Sequence, residues 1–284
     1  LFFVFIVLAY CVFNVPKEVS GTLSADQVEQ PAPSADGVAA GDWPAYGRTQ
    51  GGTRYSPLKQ ITDKNVGELQ QAWDFQTGDL KTATDPGEIT NEATPIKIGD
   101  ALYLCTAHQK LFALDAATGK EKWRFDPKMK TDPTFQHVTC RGVSYYQTPE
   151  AAALPAGAKP ALCARRILLP VNDGNLYALD AETGELCAEF GDNGKLNLQS
   201  NMPFNKVGGY EPTSPPIVTP TTIVMAGAVT DNYSTKEPSG VVRGFDVKTG
   251  KLLWAFDTGA KDPNLLPEAD QHYTPNSPTS WAPA

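Results

Sequence analysis

Apolar and polar positions alternate in short runs along much of this chain, and turn residues separate the runs. Leu111-Phe-Ala-Leu-Asp115, Leu176-Tyr-Ala-Leu-Asp180 and Val242-Arg-Gly-Phe-Asp246 are three of them. Each is followed by a polar stretch ending in Thr-Gly, then by a second run that closes on an aromatic residue, Phe125, Phe190 or Phe256. Alternation on both sides of a glycine-bearing turn predicts a β-hairpin. The turn glycines Gly119, Gly184 and Gly250 stand about 65 residues apart, so a long unit repeats. Trp123 and Trp254 hold the same place in their copies, where the middle copy has Ala188 and so reads as weakened.

A second hairpin precedes the first in each unit. Ala93–Ile98 turns at Gly99-Asp100 into Ala101–Cys105, and Pro216–Val218 turns near Thr219-Pro220 into Thr222–Met225. Each unit therefore offers four short antiparallel strands. One such sheet cannot bury both faces alone, and sheets repeated radially make a β-propeller. The predicted class is all-β, a propeller with about three blades in this chain. A sandwich of hairpins is the competing architecture, and the long period with its repeated aromatic closing strand disfavours it. Leu69–Gly78, with Trp73 and Phe75, resembles a closing strand without its three predecessors, of the kind that completes a last blade and closes a ring.

The chain opens on Leu1–Phe13, an uncharged apolar run shorter than a membrane-crossing helix needs. The expectation is the tail of a transmembrane helix over 1–15, with a signal peptide as the alternative and a core element disfavoured. Residues 16–41 are rich in Ser, Ala, Pro, Gly and Asp and read as a linker. The propeller is expected over 42–284, incomplete, with both ends of the chain cut.

The net charge of −8 and the lack of a basic stripe argue against nucleic-acid binding. Glycine and proline, at 24 each, suit many tight turns. No pair of the five cysteines has Cys-x-x-Cys spacing, which argues against zinc or thioredoxin-like chemistry. If the domain is exported, disulfides among Cys105, Cys140, Cys163 and Cys187 are allowed, in a pairing that the sequence leaves open.

Asp42-Trp-Pro-Ala-Tyr-Gly-Arg-Thr-Gln50, Thr90-Asn-Glu-Ala-Thr-Pro95, Gln136-His-Val-Thr-Cys-Arg-Gly-Val-Ser-Tyr145 and Gly227-Ala-Val-Thr-Asp-Asn232, with the Thr-Gly repeats, resemble the quinoprotein alcohol and glucose dehydrogenases, in particular the membrane-bound glucose branch. The resemblance covers essentially the whole chain. It implies an eight-bladed propeller facing the periplasm from the bacterial inner membrane. It implies pyrroloquinoline quinone (PQQ) and Mg²⁺ or Ca²⁺ as cofactors, a sugar oxidised at C1, and ubiquinone as the electron acceptor. A sibling branch oxidises quinate or shikimate. A non-catalytic propeller scaffold is the alternative from another class.

The resemblance also implies roles. Arg141 alone would read as half of a surface ion pair; its planar fork also suits a cofactor carboxylate or quinone oxygen. His137 is matched to a place over the cofactor or the sugar, and Glu92 and Thr213 to cofactor contacts at corresponding places in different units. Asp231 and Asn232 offer hard oxygen ligands for the metal, with an Asx turn as the bland alternative. Trp281 resembles the indole floor under the quinone, whereas Trp73, Trp123 and Trp254 belong to the repeat and are packing residues. No motif singles out His108 or His272. The family's general-base aspartate is expected beyond Ala284, so no catalytic base is assigned here and residues 1–284 alone are expected to be inactive.

Overall fold

A computed structural model of the protein describes residues 37–155, 157–204, 206–230 and 234–280. Leu1–Phe13, Asp231, Asn232 and Trp281 lie outside these described residues. Among the described residues the architecture is nearly all β. In chain order the strands are β1 (Ile89–Asn91), β2 (Ile96–Ile98), β3 (Ala101–Cys105), β4 (Leu111–Asp115), β5 (Glu121–Phe125), β6 (Val138–Cys140), β7 (Ser144–Gln147), β8 (Arg165–Val171), β9 (Asn175–Asp180), β10 (Lys195–Asn197), β11 (Tyr210–Glu211), β12 (Ile217–Val218), β13 (Thr222–Met225), β14 (Ala228–Val229), β15 (Val242–Asp246) and β16 (Leu252–Phe256). One helical turn, α1 (Pro149–Ala152), follows β7 and is capped by the Thr148 side chain.

Three four-stranded antiparallel sheets result, β2-β3-β4-β5, β7-β8-β9-β10 and β12-β13-β15-β16. These are the three expected blades. The middle sheet is buried on both faces, which explains the nearly continuous apolar run of β8. Its side chains alternate: Ile167, Leu169 and Val171 pack toward the first sheet, and Leu168 toward the third. β9 splits in the same way, with Tyr177 and Leu179 on one side and Leu176 and Ala178 on the other. Each large aliphatic residue buried here is worth about 2 kcal/mol, so the two inter-sheet layers carry most of the cohesion.

The Asp-x-x-Thr-Gly signature explains itself at atomic level. Asp115 Oδ1 accepts from the Thr118 amide at 2.8 Å and the Thr118 hydroxyl at 2.7 Å. Asp180 with Thr183, and Asp246 with Thr249, repeat the arrangement. The next residue must turn left-handed, and Gly119, Gly184 and Gly250 have φ of 69°, 74° and 72°. The missing side chain has a second use. A Cβ on Gly119 would lie 2.5 Å from the Trp73 ring, and one on Gly184 would lie 2.6 Å from the Trp123 ring. Trp73, in a segment with no assigned strand, thus covers the first sheet's turn just as Trp123 of the first sheet covers the second's. Phe75 adds an edge-on contact to Phe112, with ring centroids 5.3 Å apart.

The middle closing strand departs from expectation. The run ending at Phe190 is not a strand; β10 closes the sheet instead, with Lys195 opposite Tyr177. A disulfide, Cys163–Cys187, holds the chain at the point where the strand would begin. The chain then folds over itself through Gly191 and Gly194, both at positive φ. Ala188 has no ring to dock, and Phe190 approaches the Gly250 turn in its place. A second disulfide, Cys105–Cys140, joins the first sheet to the segment leading into the second. Among the described residues no helix is long and apolar enough to cross a membrane.

Candidate functional site

Three segments lead into the first strands of the three sheets, β2, β7 and β12, and each carries a candidate residue. Glu92 follows β1 and precedes β2, Arg141 follows β6 and precedes β7, and Thr213 follows β11 and precedes β12. β1 and β6 run parallel, pairing Ile89 with Val138 and Asn91 with Cys140. Main-chain bonds continue the link: the Thr94 amide donates to the Arg141 carbonyl at 3.0 Å, and the Arg141 amide to the Thr213 carbonyl at 2.9 Å. Consecutive entry segments are thereby laced together along one wall.

The side chains meet on that wall. Arg141 Nε lies 2.8 Å from Glu92 Oε2, and Arg141 Nη1 donates to the Thr213 hydroxyl. The Thr90 hydroxyl donates to the other Glu92 oxygen at 3.1 Å. The guanidinium is largely covered and the Glu92 carboxylate is half-exposed. A fixed cation, a hydroxyl and a carboxylate thus face one place from three units of the repeat. That donor set fits a planar polycarboxylate with its own N–H, the chemistry of the quinone cofactor.

His137 sits at the start of the same segment as Arg141. Its main chain is held at both ends: the amide donates to Glu211 Oε2 at 3.3 Å, and the carbonyl accepts from Asn172 Nδ2 at 2.7 Å. Its ring is 43% exposed, with Nδ1 3.4 Å from Glu211 Oε2. Glu211 also takes the Gln136 amide at 2.8 Å. Glu211 is buried, and burial pushes its pKa up to about 7 against the opposing pull of the Gln136 amide and His137. Sequence reasoning missed Glu211 because a single glutamate before a proline carries no motif; its place two residues before Thr213 was the one available signal.

A second histidine cluster lies on the first sheet's side of the molecule. His108 Nδ1 is 2.9 Å from Asp79 Oδ1, and Nε2 is 2.9 Å from Asp85 Oδ1. Lys110 Nζ reaches Asp79 at 2.7 Å. The hydrogen bond to Asp79 leads the causes that raise the His108 pKa. Burial alone would raise both carboxylates, but donors from His108, joined by Lys110 at Asp79 and the Thr82 amide at Asp85, hold both well below the usual range. The cluster borders a cavity of about 490 Å³ with Lys128 and Lys130. Among the described residues no group of three or more His, Cys, Asp or Glu side chains is arranged to hold a metal ion.

Residues 43–284 match the family model described as PQQ: Glucose/ethanol/alcohol dehydrogenase, beta-propeller domain. The chain is 63% identical to the quinoprotein glucose dehydrogenase of Escherichia coli (strain K12), over 98% of this chain and 34% of that protein. It is 39% identical to the quinate/shikimate dehydrogenase (quinone) of Acinetobacter baylyi, over 85% of this chain and 30% of that protein. Its fold resembles the solved quinohemoprotein alcohol dehydrogenase ADHIIG from Pseudomonas putida HK5, with a TM-score of 0.57 and 27% identity, covering 90% of this chain and 31% of that one. The chain spans about a third of the length of the curated relatives it matches.

Proposed function

We propose, from the premise that this chain belongs to the PQQ β-propeller family of glucose, ethanol and alcohol dehydrogenases, that it forms part of a quinoprotein oxidising D-glucose at C1 to glucono-1,5-lactone. The sugar loses two electrons and two protons, and ubiquinone in the bacterial inner membrane takes both pairs to become ubiquinol. The observation that carries the reading is Arg141 bridging Glu92 and Thr213 from three successive sheets. A scaffold propeller has no need of a guanidinium so held. The higher identity to a glucose dehydrogenase, 63% against 39% for the quinate/shikimate enzyme, favours glucose as substrate.

When bound, the quinone supplies the two-electron acceptor that protein side chains lack. Arg141 binds a carboxylate or quinone oxygen with a charge that does not titrate away. Glu92 orients the guanidinium from its Nε side and would accept an N–H of the cofactor. Thr213 fixes the Nη1 side by accepting from it, and its hydroxyl proton would donate to a cofactor oxygen. His137 borders the cofactor or the sugar, and Trp281 provides a flat floor. Asp231 and Asn232 supply oxygen ligands to Mg²⁺ or Ca²⁺. Two disulfides support a location facing the periplasm, where such bonds persist.

The test uses the full reading frame expressed in membranes, with PQQ and Mg²⁺ added and dye reduction followed with glucose and, separately, with quinate. Cofactor-dependent reduction with glucose is expected. Reduction with quinate alone would keep the fold and cofactor but move the substrate. Arg141→Ala is expected to weaken PQQ binding roughly tenfold or more, the worth of a charge-assisted hydrogen bond. Unchanged binding would remove Arg141 from the site.

A further inference from the structure

We propose that Glu211 is a positioning residue for His137, holding the imidazole through Nδ1 so that Nε2 addresses the bound quinone or sugar. This rests on the reading above that His137 borders the cofactor. The geometry is that of a built support. Glu211 is 2% exposed, yet its two oxygens take the amides of Gln136 and His137 and face the His137 ring. Asn172, itself buried, holds the carbonyl of His137. The ring alone projects, 43% exposed.

A carboxyl group this fully enclosed is costly unless its oxygens are bonded. Both oxygens are taken up by the two residues at the ring, Gln136 and His137, and the imidazole Nδ1 is the remaining group in reach. At 3.4 Å the contact is longer than a formed hydrogen bond, as such contacts often are before a ligand closes on the ring. The other charged groups of this wall, Arg141 and Glu92, are already paired at 2.8 Å. Nδ1 held from behind sets the plane of the ring, so Nε2 is the nitrogen left for a ligand.

The experiment titrates the full-length apoenzyme with PQQ at a single pH, following quenching of protein fluorescence. His137→Asn should weaken binding roughly fivefold to tenfold, the worth of one hydrogen bond. Glu211→Gln, which trades one of the two acceptor oxygens for a donor, should weaken binding by a similar factor. The double variant should bind as His137→Asn alone, because Glu211 acts through that ring. A Glu211 with only a structural role would weaken binding additively with His137→Asn, and that result overturns the proposal. So does unchanged PQQ affinity in Glu211→Gln protein that unfolds cooperatively at a temperature no lower than the wild type. Wild-type protein that binds no PQQ overturns the cofactor reading itself, and is told apart because it precedes any comparison of variants.

Discussion

His108 lies between two carboxylates, with a ring nitrogen 2.9 Å from each, whereas His137 faces one carboxylate at 3.4 Å. Burial acts on the carboxylates in both places, with opposite results. Asp79 and Asp85 receive enough donors to stay ionised far into acid, while Glu211 is pushed up to about 7. A neutral imidazole has one N–H, so a ring that donates to two carboxylates must be the imidazolium. His108 is thus committed to both its partners and ties the 79–85 segment to the turn after β3. His137 has its main chain fixed and its ring exposed. A histidine whose two nitrogens are both engaged is a staple; one held by its backbone with one nitrogen in hand can serve a ligand.

The largest expected effect comes from breaking the staple. His108→Ala leaves two buried carboxylates without their shared donor and should cost about 3 kcal/mol in urea unfolding of the intact protein. PQQ affinity should not change; if it falls in parallel, the two clusters are not separate and the comparison fails.

Next comes the pH dependence of Glu211. Its folded pKa is raised, so its favourable contribution is present below about 4.5 and is lost as pH rises through about 7. Wild-type stability should therefore decline across that window. Glu211→Gln should flatten the decline, leaving the variant ahead by on the order of 2 kcal/mol at pH 8. Parallel curves for the two proteins would show that Glu211 is not held protonated.

The smallest effect belongs to His108 on titration. Its pKa is raised, chiefly by the hydrogen bond to Asp79, so its stabilisation is complete below about 6.5 and is lost as pH rises through the raised value. The loss should be about 1.5 kcal/mol, the worth of a hydrogen bond to a charged group. His108→Gln should show no such step in hydrogen-exchange protection of residues 79–85. A step that persists would assign it to another group.

Much of the fold was legible because its repeat is written locally. An aspartate that caps its own turn and a glycine that must go left-handed declare each hairpin without help from distant residues. The closing strand of the middle sheet was misplaced because its position depends on Cys163, 24 residues away along the chain from Cys187. Glu92, Arg141 and Thr213 were singled out by family resemblance, and the structure brings them into one cluster. Asp231, Asn232 and Trp281 stand as sequence readings, outside the described residues. Glu211 and the Asp79–His108–Asp85 cluster had no spacing to betray them, since each joins loops that only the packed sheets bring close.

The sequence by itself determined the hairpins, their period and the stacked-sheet class, because alternation, Asx capping and glycine turns act over a few residues. The tertiary structure alone decided the disulfide pairing and which carboxylates share a histidine. It also decided that Glu211 is buried enough to hold a proton near neutrality. Those outcomes depend on distance and desolvation between segments far apart in the chain, and a linear pattern encodes neither.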